Sequence, residues 1–148
     1  MRVLVLHGPN LNLLGTRQPE IYGNRTLADV NDVVAAAAAD LGVDVTFAQY
    51  NGEGEILDAL HAASSQYDGV VINPGAYAHY SYAIADALAA MEIPAIEVHL
   101  SNVAAREEFR RTSVTSAACT GTIGGFGATS YVLALHALTA LCRRETQR

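Results

Sequence analysis

Two hydrophobic periods alternate along this chain. Val3-Leu4-Val5-Leu6 is a continuous apolar run of the length expected for a strand buried on both faces. His7-Gly8-Pro9-Asn10 ends it, since Gly and Pro stop the ladder and turn the chain outward. Leu27, Val30, Val34, Ala37 and Leu41 then recur at helical spacing, with Thr26 as N-cap, Asp29 completing a loose capping box and Gly42 closing the run. Val43-Asp44-Val45-Thr46-Phe47-Ala48 alternates like a half-buried strand, which predicts a sheet edge. After a turn at Asn51-Gly52-Glu53-Gly54, the positions Ile56, Leu57, Leu60 and Ala63 predict a second amphipathic helix. Gly69-Val70-Val71-Ile72-Asn73 is another buried strand, ended by Pro74-Gly75, and Ala83, Ile84, Ala87, Leu88 and Met91 predict a third helix. Pro94 to His99 reads as a fourth strand, with Pro at its start, where a missing donor is tolerated. Val103 to Arg111 predicts a short charged helix capped by Asn102. Thr120 to Gly125 predicts a Gly-rich strand, and Tyr131, Val132, Leu135, Leu138 and Leu141 the closing helix.

Strand and helix thus alternate about five times. Right-handed crossovers place helices on both faces of a parallel sheet. The expected fold class is α/β: a flavodoxin-like three-layer sandwich whose five parallel strands run in the order 2-1-3-4-5. No linker or internal repeat interrupts the pattern, so residues 1–148 are expected to form a single domain. Ligands of such sheets bind beyond the carboxyl ends of the strands, at the switch point between strands 1 and 3. Three polar clusters fall at such ends: His7-Gly8-Pro9-Asn10, Asn73-Pro74-Gly75-Ala76-Tyr77-Ala78-His79, and Glu97-Val98-His99-Leu100-Ser101-Asn102. The fold predicts that all three share one edge. Residues 11–23 form a loop of the length used for lids and binding loops, and it carries Arg17 and Tyr22.

Composition narrows the function. A composition of 51% hydrophobic and 16% charged residues argues against disorder. A net charge of -6 and the lack of any basic stripe argue against nucleic-acid binding. No apolar run approaches the ~18–20 residues of a membrane span, and the N-terminal run is too short for a signal peptide. Cys119 and Cys142 make no disulfide framework, so a reducing cytoplasm is the default compartment. His and Cys do not cluster at ligand spacing, so no metal is expected.

The motifs themselves carry a resemblance. Gly8-Pro9-Asn10-Leu11-Asn12-Leu13-Leu14-Gly15 with Arg17, Pro19 and Tyr22-Gly23 resembles the opening signature of type II 3-dehydroquinate dehydratases. Asn73-Pro74-Gly75-Ala76-Tyr77 with His79 and Ser81 resembles the second motif of that family. Glu97-Val98-His99-Leu100-Ser101-Asn102, followed by Arg106-Glu107-Glu108-Phe109-Arg110, resembles the third. The likeness covers nearly the whole chain and keeps the motif order.

The resemblance implies a lyase of the shikimate pathway and of aromatic amino acid biosynthesis. It would dehydrate 3-dehydroquinate to 3-dehydroshikimate by anti elimination through an enolate, with no cofactor, metal or Schiff base. Such chemistry needs a base, enolate stabilisers and an acid for the leaving hydroxyl. Tyr22 would be the base. Lowering its pKa of about 10 by ~3 units takes roughly 4 kcal/mol, for which a nearby Arg17 is the plainest source. His99 would be the acid, with Glu97 on the same strand face to keep it charged and oriented. Asn10 would orient enolate-stabilising contacts through a water. Asn73, His79, Ser101 and Arg110 match substrate-binding positions, and the backbone amides of Leu100 and Ser101 would hold the substrate carboxylate. Asp86 matches a position that reaches the site of a neighbouring subunit, and the family implies a homo-oligomer, a dodecamer of four trimers.

Taken singly, these residues have plainer readings. Tyr22 could pack its own loop, His99 could be a satisfied strand-end histidine, and Arg110 and Asp86 could be solvated helix charges. His7, His61 and His136 show no partner pattern and read as structural. Gln18, Tyr80, Ala85 and Ala104 depart from the residues usual in the family, which bears on loop closure, pocket rim and subunit contacts. A non-catalytic flavodoxin-like module binding a nucleotide, flavin or phosphoacceptor partner is the competing class. It lacks a GxGxxG or Walker loop after strand 1 and an acidic pair there. A degenerate, binding-only family member is disfavoured because Tyr22, Arg17 and His99 are all present.

Overall fold

Strand 1 decides the architecture, because its residues after Arg2 have no solvent face. In the computed structural model, which describes residues 1–16 and 18–146 (Tyr22, Glu145 and Thr146 by their backbone alone), β1 is Arg2–His7, buried from Val3 onward. The chain continues through α1 (Pro19–Tyr22), α2 (Leu27–Leu41), β2 (Asp44–Gln49), α3 (Glu53–Gln66) and β3 (Gly69–Asn73). It then runs through α4 (Tyr82–Ala89), β4 (Ala95–His99), β5 (Gly121–Gly124) and α5 (Thr129–Thr146). All strand pairs are parallel, in the order β2-β1-β3-β4-β5, so the expected topology and the expected edge position of β2 are both found.

Strand residues alternate between two cores. Val3, Val5, Val71, Ile96 and Val98 pack with Val30, Val34 and Ala38 of α2 and Tyr131, Leu135 and Leu138 of α5. Leu4, Leu6, Val70, Ile72 and Ala95 pack on the other face with Ile56, Leu60 and Ala63 of α3 and Ile84, Ala87 and Leu88 of α4. Truncating any of the larger buried side chains to Ala would cost about 2–5 kcal/mol. The capping box is present: the Thr26 hydroxyl accepts from the Asp29 amide at 3.2 Å, and the Asp29 carboxylate accepts from the Thr26 amide at 2.9 Å.

Two expectations change. Residues 11–23 are not structureless, since a 3-10 turn forms at Leu11–Leu13 and α1 follows. The charged helix expected over Val103 to Arg111 is replaced by two 3-10 turns, Val103–Ala105 and Glu108–Arg111, with Arg106 extended between them, and the Asn102 side chain caps nothing. Helices are stabilised mainly by burying an apolar stripe. This segment buries no residue, and 3-10 runs rarely exceed 3–4 residues.

Candidate active site

The site begins where β1 and β3 end side by side. The Gly8 amide donates to the Asn73 carbonyl at 2.8 Å, and a Cβ at Gly8 would lie 2.8 Å from that oxygen and from the Pro74 carbonyl group. No larger residue fits that approach, so glycine brings Pro9-Asn10 against Gly75-Ala76. Asn10 adopts a left-handed conformation, φ 67° and ψ -3°. Asn tolerates this region better than most residues, and non-Gly residues held there cluster at functional sites. Its amide donates to the Asn51 side-chain oxygen at 2.9 Å. Asn51 also accepts from Gln49 Nε2 at 3.0 Å, and its carbonyl accepts from the Tyr77 hydroxyl at 2.8 Å. The turn after β2 thus ties the loops that follow β1 and β3.

These loops and the end of β4 line one open cavity. Asn10, Asn73 and His99 line it, each from a different strand end. His79, Leu100, Ser101 and Arg110 line it as well, so seven of the expected residues meet in one place. The flavodoxin-like switch point is where they meet.

Glu97 stands behind His99, fully buried. Alternation along β4 puts both on one sheet face. His99 Nε2 lies 2.7 Å from Glu97 Oε1, which also accepts from the Ser113 hydroxyl at 2.9 Å, and the Thr115 hydroxyl donates to Oε2 at 2.6 Å. Burial alone would push the Glu97 carboxyl up. The hydrogen bonds from His99, Thr115 and Ser113 and the attraction of the His99 charge outweigh burial and hold it below the usual carboxylate range. An anion there accepts a hydrogen bond from Nε2–H, so Nδ1 is the ring nitrogen left to exchange a proton with a ligand. Burial first, then the Glu97 charge, push the nearby Cys119 thiol up to about 12, which removes it as a nucleophile.

His79 Nδ1 is 2.8 Å from the Thr112 carbonyl and donates to it, leaving Nε2 as an acceptor when the ring is neutral. Phe109 meets the His79 ring edge-on at 5.7 Å between centroids, and the Arg110 guanidinium lies 4.7 Å from the Phe109 centroid while its Nε donates to Glu107. Arg106 lines the cavity too, aimed there by the break between the two 3-10 turns.

Other expected residues lie elsewhere. Asp86 is exposed on α4 and does not line this cavity. Arg17 and the Tyr22 side chain lie outside the described residues. Gln18, Tyr80, Ala85 and Ala104 are absent from the cavity wall. His7, read from the sequence as structural, is buried and hydrogen-bonds Tyr131 and Asn31, partners the sequence pattern did not show. Sequence reasoning missed Ser113, Thr115, Asn51 and Arg106. Only a Ser/Thr pair two positions apart hinted at the first two. Among the described residues no three His, Cys, Asp or Glu side chains gather where they could hold a metal ion, and no helix is long and apolar enough to cross a membrane.

A model of the family described as dehydroquinase class II matches residues 1–139. The chain is 53% identical over 141 residues to a 3-dehydroquinate dehydratase of Pelotomaculum thermopropionicum, covering 95% of this chain and 98% of that one. It superposes on the crystal structure of a type II dehydroquinase from Butyrivibrio crossotus with a TM-score of 0.91 at 47% identity, covering 93% of this chain and 97% of that one. For the type II dehydroquinase of Propionibacterium acnes the TM-score is 0.90 at 48% identity, covering 94% and 96%.

Proposed function

The chain belongs to the class II dehydroquinase family, and from that premise we propose that the cavity dehydrates 3-dehydroquinate to 3-dehydroshikimate in the shikimate pathway. The observation that carries this is the meeting of Asn10, Asn73 and His99 in one cavity, with Glu97 locked behind His99.

In this reading a proton beside the substrate ketone passes to the Tyr22 phenolate, which Arg17 holds anionic. The electron pair of that C–H bond becomes the enolate. Asn10 orients a water onto the enolate oxygen. When the enolate collapses, the C–O bond of the β-hydroxyl breaks, and His99 Nδ1 supplies the proton that makes the leaving group water. A double bond conjugated with the ketone results. Asn73, His79, Ser101 and Arg110 hold substrate hydroxyls and carboxylate, with the Leu100 and Ser101 amides beside them. No step calls for a metal, a cofactor or a Schiff base.

We further infer a cytoplasmic homo-oligomer, a dodecamer of four trimers, in which Asp86 reaches a neighbour's cavity. Its support is that Tyr82, 73% exposed, and the exposed Asp86 stand one helical turn apart on α4 and form an uncovered face.

The test is direct. Purified protein mixed with 3-dehydroquinate should generate the absorbance of a conjugated enone at a rate that a chelator leaves unchanged. Tyr22→Phe should lower that rate by a factor of at least about 10², the low end of what a positioned proton-transfer group contributes. No enone from the unmodified protein would refute the activity, and an undiminished rate in Tyr22→Phe would refute the base.

A further inference from the structure

The site leaves one buried histidine without a role. His7 ends β1 and Asn73 ends β3, and the two are register partners on adjacent parallel strands. Both reach toward α5, where the fully buried Tyr131 stands between them. Its hydroxyl is 3.0 Å from His7 Nδ1 and 3.0 Å from Asn73 Nδ2. On its other side, His7 Nε2 is 2.8 Å from Asn31 Oδ1 on α2, and Asn73 Oδ1 accepts from the Gly75 amide at 3.1 Å.

The sense of this chain follows from one backbone group. The Gly75 N–H can only donate, so the atom facing it is the Asn73 oxygen. Nδ2 of Asn73 therefore faces Tyr131 and donates to its oxygen. The Tyr131 hydroxyl, having accepted, donates in turn to His7 Nδ1. That nitrogen carries a lone pair, the ring proton sits on Nε2, and Asn31 Oδ1 accepts it. Every group is satisfied only if His7 is neutral and in the Nε2–H tautomer. A second ring proton would set donor against donor at Tyr131. Burial lowers the His7 pKa to about 4, in keeping with a neutral ring.

We propose that His7, Tyr131 and Asn31 are positioning residues, a one-way hydrogen-bond relay that fixes the Asn73 amide and leaves its second Nδ2 hydrogen and second Oδ1 lone pair to grip a substrate hydroxyl. A hydroxyl both donates and accepts, which matches the two sites an anchored amide has left. The proposal rests on the reading of the cavity as a substrate site. It adds the reason why an amide lining the cavity wall holds one orientation before substrate arrives.

Steady-state kinetics and nitrogen-15 NMR test it. Tyr131→Phe removes the acceptor for Nδ2, and KM should rise about tenfold, the equivalent of one hydrogen bond, while kcat stays within about twofold. A merely structural role would lower the folded fraction, and with it the apparent kcat, at unchanged KM, and that outcome overturns the relay. His7→Leu should raise KM in the same way. His7→Asn, whose side-chain oxygen overlays the Nδ1 position, should restore part of the loss, and equal KM values for the two variants overturn it. In the unmodified protein the His7 ring should carry its proton on Nε2, a readout that needs no variant to fold, and a proton on Nδ1 overturns the relay outright. In an Asn73→Ala background, Tyr131→Phe should add nothing to KM. If Asn73→Ala itself leaves KM unchanged, the substrate contact is wrong and the proposal falls with it. If Asn73→Ala raises KM and Tyr131→Phe does not, the relay alone falls.

Discussion

Glu97 is a carboxylate with no solvent exposure, and it stays anionic because three donors meet it: one ring N–H and two hydroxyls. Glu97→Gln keeps the shape and one acceptor but removes the negative charge that faces the His99 ring N–H. In steady-state assays kcat should fall about 10²–10³-fold, the range expected for losing a proton donor, with KM little changed. An unaltered kcat would mean the carboxylate only packs. His7 gives a prediction of opposite chemistry. Its native pKa of about 4 lies below the unfolded 6.5, so between these values the unfolded chain binds the extra proton. Stability is therefore complete above pH 6.5 and falls by about 3 kcal/mol as the pH drops to about 4, at ~1.4 kcal/mol per unit. The groups facing the ring are Asn31, Tyr131 and Phe47, none of them charged near neutrality. Urea unfolding across that window should show the slope, and His7→Asn should flatten most of it. What slope remains belongs in part to Glu97, whose contribution is present above the usual carboxylate range and is lost as the pH falls through its lowered native value.

At the scale of elements, the loops after β1, β3 and β4 carry the site, and Gly8 sets how closely the first two approach. Gly8→Ala should cost about 1–3 kcal/mol from overpacking against the Asn73 and Pro74 carbonyls. Thermal unfolding would register it, and an unchanged Tm would show that the loops can separate freely. Asn10, Asn73 and His99 were legible in the sequence because each ends or follows a strand marked by its own apolar run. Gly and Pro mark where the first two strands stop. Ser113, Thr115 and Arg106 were not legible. They come from a stretch with no apolar period, whose shape follows from what it covers rather than from its own pattern. Tyr131 was hidden differently: it reads as one more residue of a helical stripe, and its partner His7 is 124 positions away. The capping box and the edge position of β2 were visible because both are local in origin.

At the scale of the whole molecule, the alternation of five strands with helices determined layer order and site location before any side chain was placed. The proposed assembly rests on the family resemblance alone, since an exposed Asp on a helix carries no signal of its own. Tyr82→Glu places a charge on the uncovered face of α4. Sedimentation should then show particles smaller than the proposed twelve-chain assembly, and activity should fall if Asp86 serves a neighbouring subunit. A full-size assembly would move the contact elsewhere on the surface.

The sheet also divides the labour of the cavity. Asn73 and its anchors are wired into the layer of α2 and α5, whereas Glu97 and His99 back onto the side of α3 and α4, with Ala118 and Cys119 packed there. Because residue alternation separates the two cores, under the proposed mechanism drift in the packing of one layer would reach recognition first and drift in the other would reach proton delivery first. Affinity and turnover are therefore open to separate tuning by mutations far from the cavity, each confined to its own side of a five-stranded wall.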